Sequence, residues 1–166
     1  MVAWNAFDGG LREALPSRKE LLKGCYAEFI AMLLFVYFGC GSAASNVHKK
    51  ADGEWESASV VAIAMTFGLL ITVLAYGTAH SSGGHINCAV TLGLTVVGKC
   101  HPVRGGLYLV AQLLGSVVGA ALLALTTAND STTLDRTGGY GANGFQNSSV
   151  TAGGALLAES AYRSDQ

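Results

Sequence analysis

Charge is what this sequence has least of. Only 13% of its 166 residues are Asp, Glu, Lys or Arg, where a soluble domain carries about a quarter. The charges are bunched, and the stretches between them are long and neutral, which is the pattern of a membrane protein. The formal net charge is -1, so no basic excess points to a nucleic-acid partner. Cysteine is also scarce. Cys25, Cys40, Cys88 and Cys100 form no CxxC pair and no His/Cys cluster with metal spacing. They are expected as free thiols, not as a disulfide framework. Catalytic groupings are lacking too. No Ser/His/Asp set, paired acids or phosphate-binding loop is present, so an enzyme is unsupported and no cofactor or metal is called for. Residues 1–24 are polar, of mixed charge, and lack a cleavable-signal pattern, so the first hydrophobic segment is expected to remain as an anchor.

Apolar residues are present in force, at 51%, together with 22 glycines, many of them inside the apolar stretches. Soluble helices avoid glycine there, whereas packed membrane helices use it for close backbone approach. Residues 1–24 read as a cytosolic lead-in with Arg12, Arg18, Lys19 and Lys23. Residues 25–44 are apolar apart from Glu28 and are long enough to cross about 30 Å of hydrocarbon. A polar loop occupies 45–57. The uncharged run 58–79 is the clearest span. A third span, 105–125, is interrupted only by Tyr108, Gln112 and Ser116, and contains a Gly115/Gly119 pair read as helix packing. Residues 126–150 form a polar loop with sequons at Asn129 and Asn147, and 151–166 begin a fourth apolar stretch that breaks off into polar residues. Basic residues gather before the first span and at Lys99 and Arg104. The N-terminus and the 80–104 loop are therefore expected to be cytosolic, and the 126–150 loop extracytosolic.

Between the second and third spans lies a segment that fits neither loop nor span. Residues 87–97 (NCAVTLGLTVV) are apolar but supply only about 16 Å of helix, roughly half a bilayer. Such an element is buried or re-entrant, and irregular backbone at that depth is tolerated only against protein or a water-filled cavity. The flexible entry Ser81-Ser82-Gly83-Gly84 precedes it. Asn87 is suited to cap this helix. A helix N-terminus carries about half a positive charge, which at mid-membrane repels cations. The amide N–H₂ of Asn87 then remains available to donate to a water oxygen. A water held this way turns its hydrogens outward and interrupts a proton wire. Positive dipole, fixed donor and apolar wall together are what a selective water pore needs.

At this point the sequence resembles a known family. Ser82-Gly83-Gly84-His85-Ile86-Asn87-Cys88-Ala89-Val90-Thr91 is similar to the SGxHxNPAVT signature of the major intrinsic proteins, the aquaporins. One position departs: Cys88 stands where the family has Pro. Ala27-Glu28-Phe29 resembles the family's opening of the first helix, and Ala111-Gln112-Leu113-Leu114-Gly115 matches on the third span. The resemblance, which includes plant-type plasma-membrane or tonoplast intrinsic proteins, runs from about Glu20 to Glu159. It implies an all-α membrane fold built of inverted repeats, each with three spans and one half-helix. This chain would hold the first repeat, residues 25–125, and the start of a second. Ala158-Glu159 echoes Ala27-Glu28, but the offset from Glu28 to Asn87, counted from Glu159, runs past Gln166. The second half-helix and the remaining filter residues are thus expected to be missing.

The resemblance also assigns roles. Asn87, Cys88, Ala89 and Val90 form the pore-lining tip. Gly83, Gly84 and His85 support the loop, with His85 a structural histidine in preference to a gate. Gln112 is a helix-to-helix hydrogen-bond residue. Glu28, an ionisable group in a span and so costly unless functional, braces the backbone of the second half-helix. Phe67 falls where the family places the second-span residue of its outer constriction. Phe there narrows the pore and favours water over glycerol, the alternative being a core or lipid-facing ring. Cys88 keeps the N–H that Pro lacks and loses the preset φ. It is either a thiol-reagent site that plugs the pore or a tolerated small residue. The implied function is a passive channel for water, with a glycerol or small-solute facilitator as one alternative. The other is a non-conducting short form that associates with full-length channels. The expected partners are the lipid bilayer, water or small neutral solutes, and further subunits, the family being usually tetrameric. The membrane is the plasma membrane or an endomembrane.

Overall fold

The computed structural model describes residues 16–46, 56–127 and 139–141. Four helices make up these residues: α1 (Arg18–Asn46), α2 (Ser57–Ser82), α3 (Cys88–Val96) and α4 (Pro102–Thr127). The long helices have 29, 26 and 26 residues, which gives about 39 to 44 Å each. That covers the hydrocarbon core and reaches into the headgroup layers. All three are long and apolar enough to cross a membrane. The 9 residues of α3 give only about 14 Å.

Each long helix runs past the apolar stretch that marked it, because polar residues at helix ends remain hydrated. α1 differs most, starting at Arg18 and not at 25. The reason is local. The Ser17 N–H and O–H both donate to Glu20 Oε2, at 2.9 and 2.8 Å, and Ser17 Oγ accepts the Glu20 N–H at 3.4 Å. This capping box satisfies the free donors of the first turn, and it puts Arg18, Lys19 and Lys23 on the helix. Residues 47–55, most of the 126–150 loop with Asn129 and Asn147, the whole of 151–166 with Ala158 and Glu159, and Arg12 lie outside the described residues.

α1 is the central helix and packs along both α2 and α4, while α3 packs on α4. The α1–α4 seam is set by glycine. A Cβ on Gly115 would meet the Phe29 carbonyl oxygen, and one on Gly119 would meet that of Leu33. The two backbones therefore touch, as small-residue seams in membranes allow. The distribution of side chains is inverted relative to a soluble protein. Glu28, Ser82, Thr91 and Gln112 are each 0% exposed, while Val60, Val61, Met65, Leu69, Val73 and Tyr76 of α2 stand out from the surface. An apolar outside around a polar inside suits a lipid solvent.

Candidate pore loop and its buried clamp

The loop between α2 and α3 is shaped by three positive φ values in four residues: Gly83 (92°), Gly84 (67°) and Ile86 (42°). Gly83 ends α2 in the left-handed conformation, its N–H bonding Ala79 O at 3.0 Å. Gly84 is required twice over. Its φ disfavours any side chain, and a Cβ there would lie 2.7 Å from the Ala75 carbonyl oxygen. The chain turns back sharply here and enters α3 beside the end of α2.

A single carboxylate holds this turn. Glu28 Oε1 accepts the Ser82 hydroxyl at 2.6 Å and the His85 N–H at 3.0 Å. Glu28 Oε2 accepts the Ile86 N–H at 2.7 Å and the Gln112 amide at 2.7 Å. An isolated buried carboxylate is very unfavourable. This one is met by four donors from three directions, and hydrogen bonds to a charged acceptor are the stronger kind. The resemblance implies that Glu28 braces a second half-helix; within this repeat its two oxygens accept from the loop before α3 and from Gln112 of α4.

Two further groups extend the clamp. Gln112 Nε2 also donates to Thr91 Oγ1 on α3 at 2.9 Å, and His85 Nδ1 lies 3.1 Å from the same hydroxyl. Gln112 Oε1 is buried without a partner among the described residues, so the amide is oriented by its two donor contacts. On the other side, Arg104 donates from Nη2 to the Ser82 carbonyl at 2.7 Å and from Nε to the Tyr108 hydroxyl at 3.0 Å. It thereby satisfies a carbonyl that the end of α2 leaves open. Its guanidinium lies 5.1 Å from the Tyr108 ring centroid, and that ring meets His85 edge-on at 5.3 Å. A Cβ on Gly24 would collide with the Tyr108 ring, so the absence of a side chain there is what admits the tyrosine.

The tip of the short helix is a separate group. Asn87 is its N-cap, with φ -163° and ψ 128°. Its Oδ1 accepts the N–H of Ala89 at 2.7 Å and of Val90 at 3.4 Å. Its Nδ2 makes no hydrogen bond among the described residues. Asn87, Ala89 and Val90 are exposed, and Cys88 is half-buried.

The sequence-derived candidates thus fall into three places. Glu28, Gly83, Gly84, His85 and Gln112 meet in the clamp. Asn87, Cys88, Ala89 and Val90 make the tip. Phe67 stands apart on α2, half-buried, edge-on to Phe35 at 5.6 Å and directly over Gly39. Sequence reading missed Ser82, Thr91, Arg104 and Tyr108 as members of the clamp. Arg104 and Tyr108 sit one turn apart at the start of α4, and a paired basic and aromatic residue entering a span was the available signal.

These features define an integral membrane protein: three spanning-length helices, and a short helix entered through a loop pinned to the first of them. The comparisons are specific. The profile of the family described as Major intrinsic protein matches residues 16–161. Aquaporin-5 of Ovis aries is 41% identical over 141 residues, covering 83% of this chain and 47% of that protein. Aquaporin TIP2-3 of Arabidopsis thaliana is 43% identical over 106 residues, covering 64% of this chain and 42% of that protein. Aquaporin-2 of Homo sapiens is 42% identical over 139 residues, covering 82% of this chain and 46% of that protein. The chain belongs to the major intrinsic protein family. It spans about half the length of these curated relatives.

Proposed function

We propose that the chain forms one half of a passive transmembrane pore for water, with Asn87 at its narrow, selective point and a second repeat completing the enclosure. One observation carries the reading. Asn87 spends its oxygen on capping α3, which leaves its N–H₂ to donate to a passing water. That donor sits at the N-terminus of a helix, where about half a positive charge is concentrated. Water accepts from Asn87 and turns its hydrogens away, while cations and hydrated protons are repelled. Ala89 and Val90 add apolar wall, so few other bonds delay the water. Glu28, Ser82, His85, Thr91 and Gln112 fix the tip in place, and none of them takes part in covalent chemistry.

Phe67 supports water over glycerol. Its ring on α2 is braced by Phe35 and Gly39, as a fixed constriction requires. The basic end of α1 supports a cytosolic N-terminus, and the exposed apolar faces of α2 and α4 offer surfaces for the second repeat and for neighbours in a tetramer. The membrane is of the plasma or tonoplast type.

The test is osmotic swelling of proteoliposomes in which this half is completed by a second repeat, with wild type compared against Asn87→Asp. Aspartate remains a good N-cap but replaces the donor with a negative charge. Losing a donor worth about 1 kcal/mol lowers water permeability about fivefold. Unchanged permeability in a folded, inserted Asn87→Asp protein removes Asn87 from the pore. Swelling in glycerol separates a water pore from a solute facilitator. Absence of swelling for the chain alone, with altered swelling when it is co-reconstituted with a two-repeat relative, favours the associating role.

A further inference from the structure

Away from the pore loop, the ends of three helices border an open cavity of about 330 Å³ lined by Pro16, Glu20, Lys23, His80, Ser81 and Arg104. Pro16 precedes α1, Glu20 and Lys23 come from its start, His80 and Ser81 from the last turn of α2, and Arg104 from the first turn of α4. All are at one end of the bundle, at the level where spanning helices leave the hydrocarbon for the headgroup layer. The volume is roughly ten times the share of one water molecule in the liquid. It accommodates a polyatomic group.

The lining has more basic than acidic groups. Lys23 and Arg104 bring two positive charges, and His80 and Ser81 bring N–H and O–H donors. Glu20 is the one acid in the wall, and its Oε2 is already taken by the N–H and O–H of Ser17. Lys23 has no carboxylate partner among the described residues. Arg104 is held at the wall by its bonds to the Ser82 carbonyl and the Tyr108 hydroxyl, so its position is set before any ligand arrives. An anchored Arg104 and an exposed Lys23, with neutral donors in the same wall, suit an anion with several acceptor oxygens. Basic pockets between spanning helices on the cytosolic side take phosphorylated headgroups.

We propose that this cavity is a binding site for a terminal phosphate group at the membrane surface, supplied by the monoester of a lipid headgroup or by free phosphate. The inference rests on the membrane setting of the bundle and on the basic end facing the cytosol, and is independent of what the pore conducts. Occupancy would tie the start of α1 to the end of α2 and the start of α4, next to the Ser82 carbonyl that Arg104 caps.

The purified chain in detergent is titrated with a phosphatidylinositol monophosphate or with phosphatidylcholine, and bound lipid is counted by native mass spectrometry. Lys23→Gln is the site variant. Lys19→Gln, an exposed residue of α1 outside the cavity wall, is the control. A basic residue near an anionic group contributes about fivefold in affinity. Lys23→Gln is therefore expected to lower phosphoinositide retention about fivefold, while Lys19→Gln leaves it unchanged. Phosphatidylcholine is expected not to be retained. Millimolar inorganic phosphate that displaces the lipid identifies free phosphate as a second source, and failure to displace restricts the site to headgroups. Equal losses in both variants overturn the proposal in favour of a diffuse basic surface. Retention of phosphatidylcholine equal to that of the phosphoinositide overturns it outright.

Discussion

The clamp around Glu28 makes a demanding prediction, because replacing the carboxylate by the amide of the same shape should fail. In Glu28→Gln one oxygen survives and keeps two donors; the other becomes an N–H₂ that faces two donors. If the amide nitrogen points to the Oε1 side, the Ser82 hydroxyl rotates to accept, but the His85 N–H has lost its acceptor. If it points to the Oε2 side, Gln112 can turn its unpartnered oxygen inward, and then the Ile86 N–H is orphaned. Either way one buried backbone N–H goes unsatisfied, at a cost of about 1–3 kcal/mol. This exceeds the average side-chain hydrogen bond between membrane helices, about 0.6 kcal/mol, because the lost partner is backbone in a strained turn. Glu28→Ala orphans more donors and is expected to cost more, unless water enters. Thermal unfolding in detergent gives the stability, and maleimide labelling of Cys88 reports loop mobility. Glu28→Gln should lower Tm by several degrees and speed the labelling. A variant within about 0.5 kcal/mol of wild type, with unchanged labelling, would refute the view that one carboxylate holds the loop.

Other outcomes follow from the same geometry. Gly84→Ala combines an unfavourable left-handed φ with a clash at the Ala75 carbonyl, and should destabilise by more than about 2 kcal/mol, read as loss of folded protein in detergent extracts. Cys88→Pro should be tolerated or stabilising by about 0.4–1 kcal/mol. Asn87 already has the extended conformation that precedes proline, and its side chain caps through Ala89 and Val90, not through the Cys88 N–H; a fall in Tm would contradict this. A mercurial should inhibit water permeation in wild type and spare Cys88→Ser. Equal inhibition of both would move the reactive thiol elsewhere. Phe67→Ala should raise glycerol permeation relative to water in the swelling assay, and an unchanged ratio would place the ring outside the constriction.

The long helices were legible because a membrane span announces itself by length and lack of charge, which need no tertiary knowledge. The short helix was legible because its apolar run is too brief to cross and follows a glycine pair. Helix starts were less so. The Ser17-x-x-Glu20 box starts α1 upstream of its apolar run, because capping is independent of apolar content. Within the clamp, Glu28 and Gln112 drew notice as polar residues in apolar spans. Ser82 and Thr91 stand in the signature, but their part in the clamp was hidden, because small hydroxyl residues are common in membrane helices and usually bond their own backbone, as Thr72 does to the Gly68 carbonyl at 2.7 Å. Only the fold reveals which hydroxyls turn inward to a partner on another helix.

The donors that Glu28 meets follow from the fold of this repeat. A buried carboxylate must find donors wherever the fold supplies them nearest. Here the left-handed turn at Gly83 and Gly84 presents the N–H groups of His85 and Ile86 to α1, because their α-helical partners are lost where α2 ends. The strain of the turn and the burial of the charge are therefore coupled: the turn creates unsatisfied donors, and the carboxylate satisfies them. Neither is stable in hydrocarbon without the other. Asn87 follows directly after the second of those N–H groups, so the placement of its side chain is inherited from Glu28 on another helix. If Asn87 is the selective point proposed above, its placement depends on a residue that lies behind the loop, and substitutions at Glu28 should disturb permeation through geometry before they disturb it through charge.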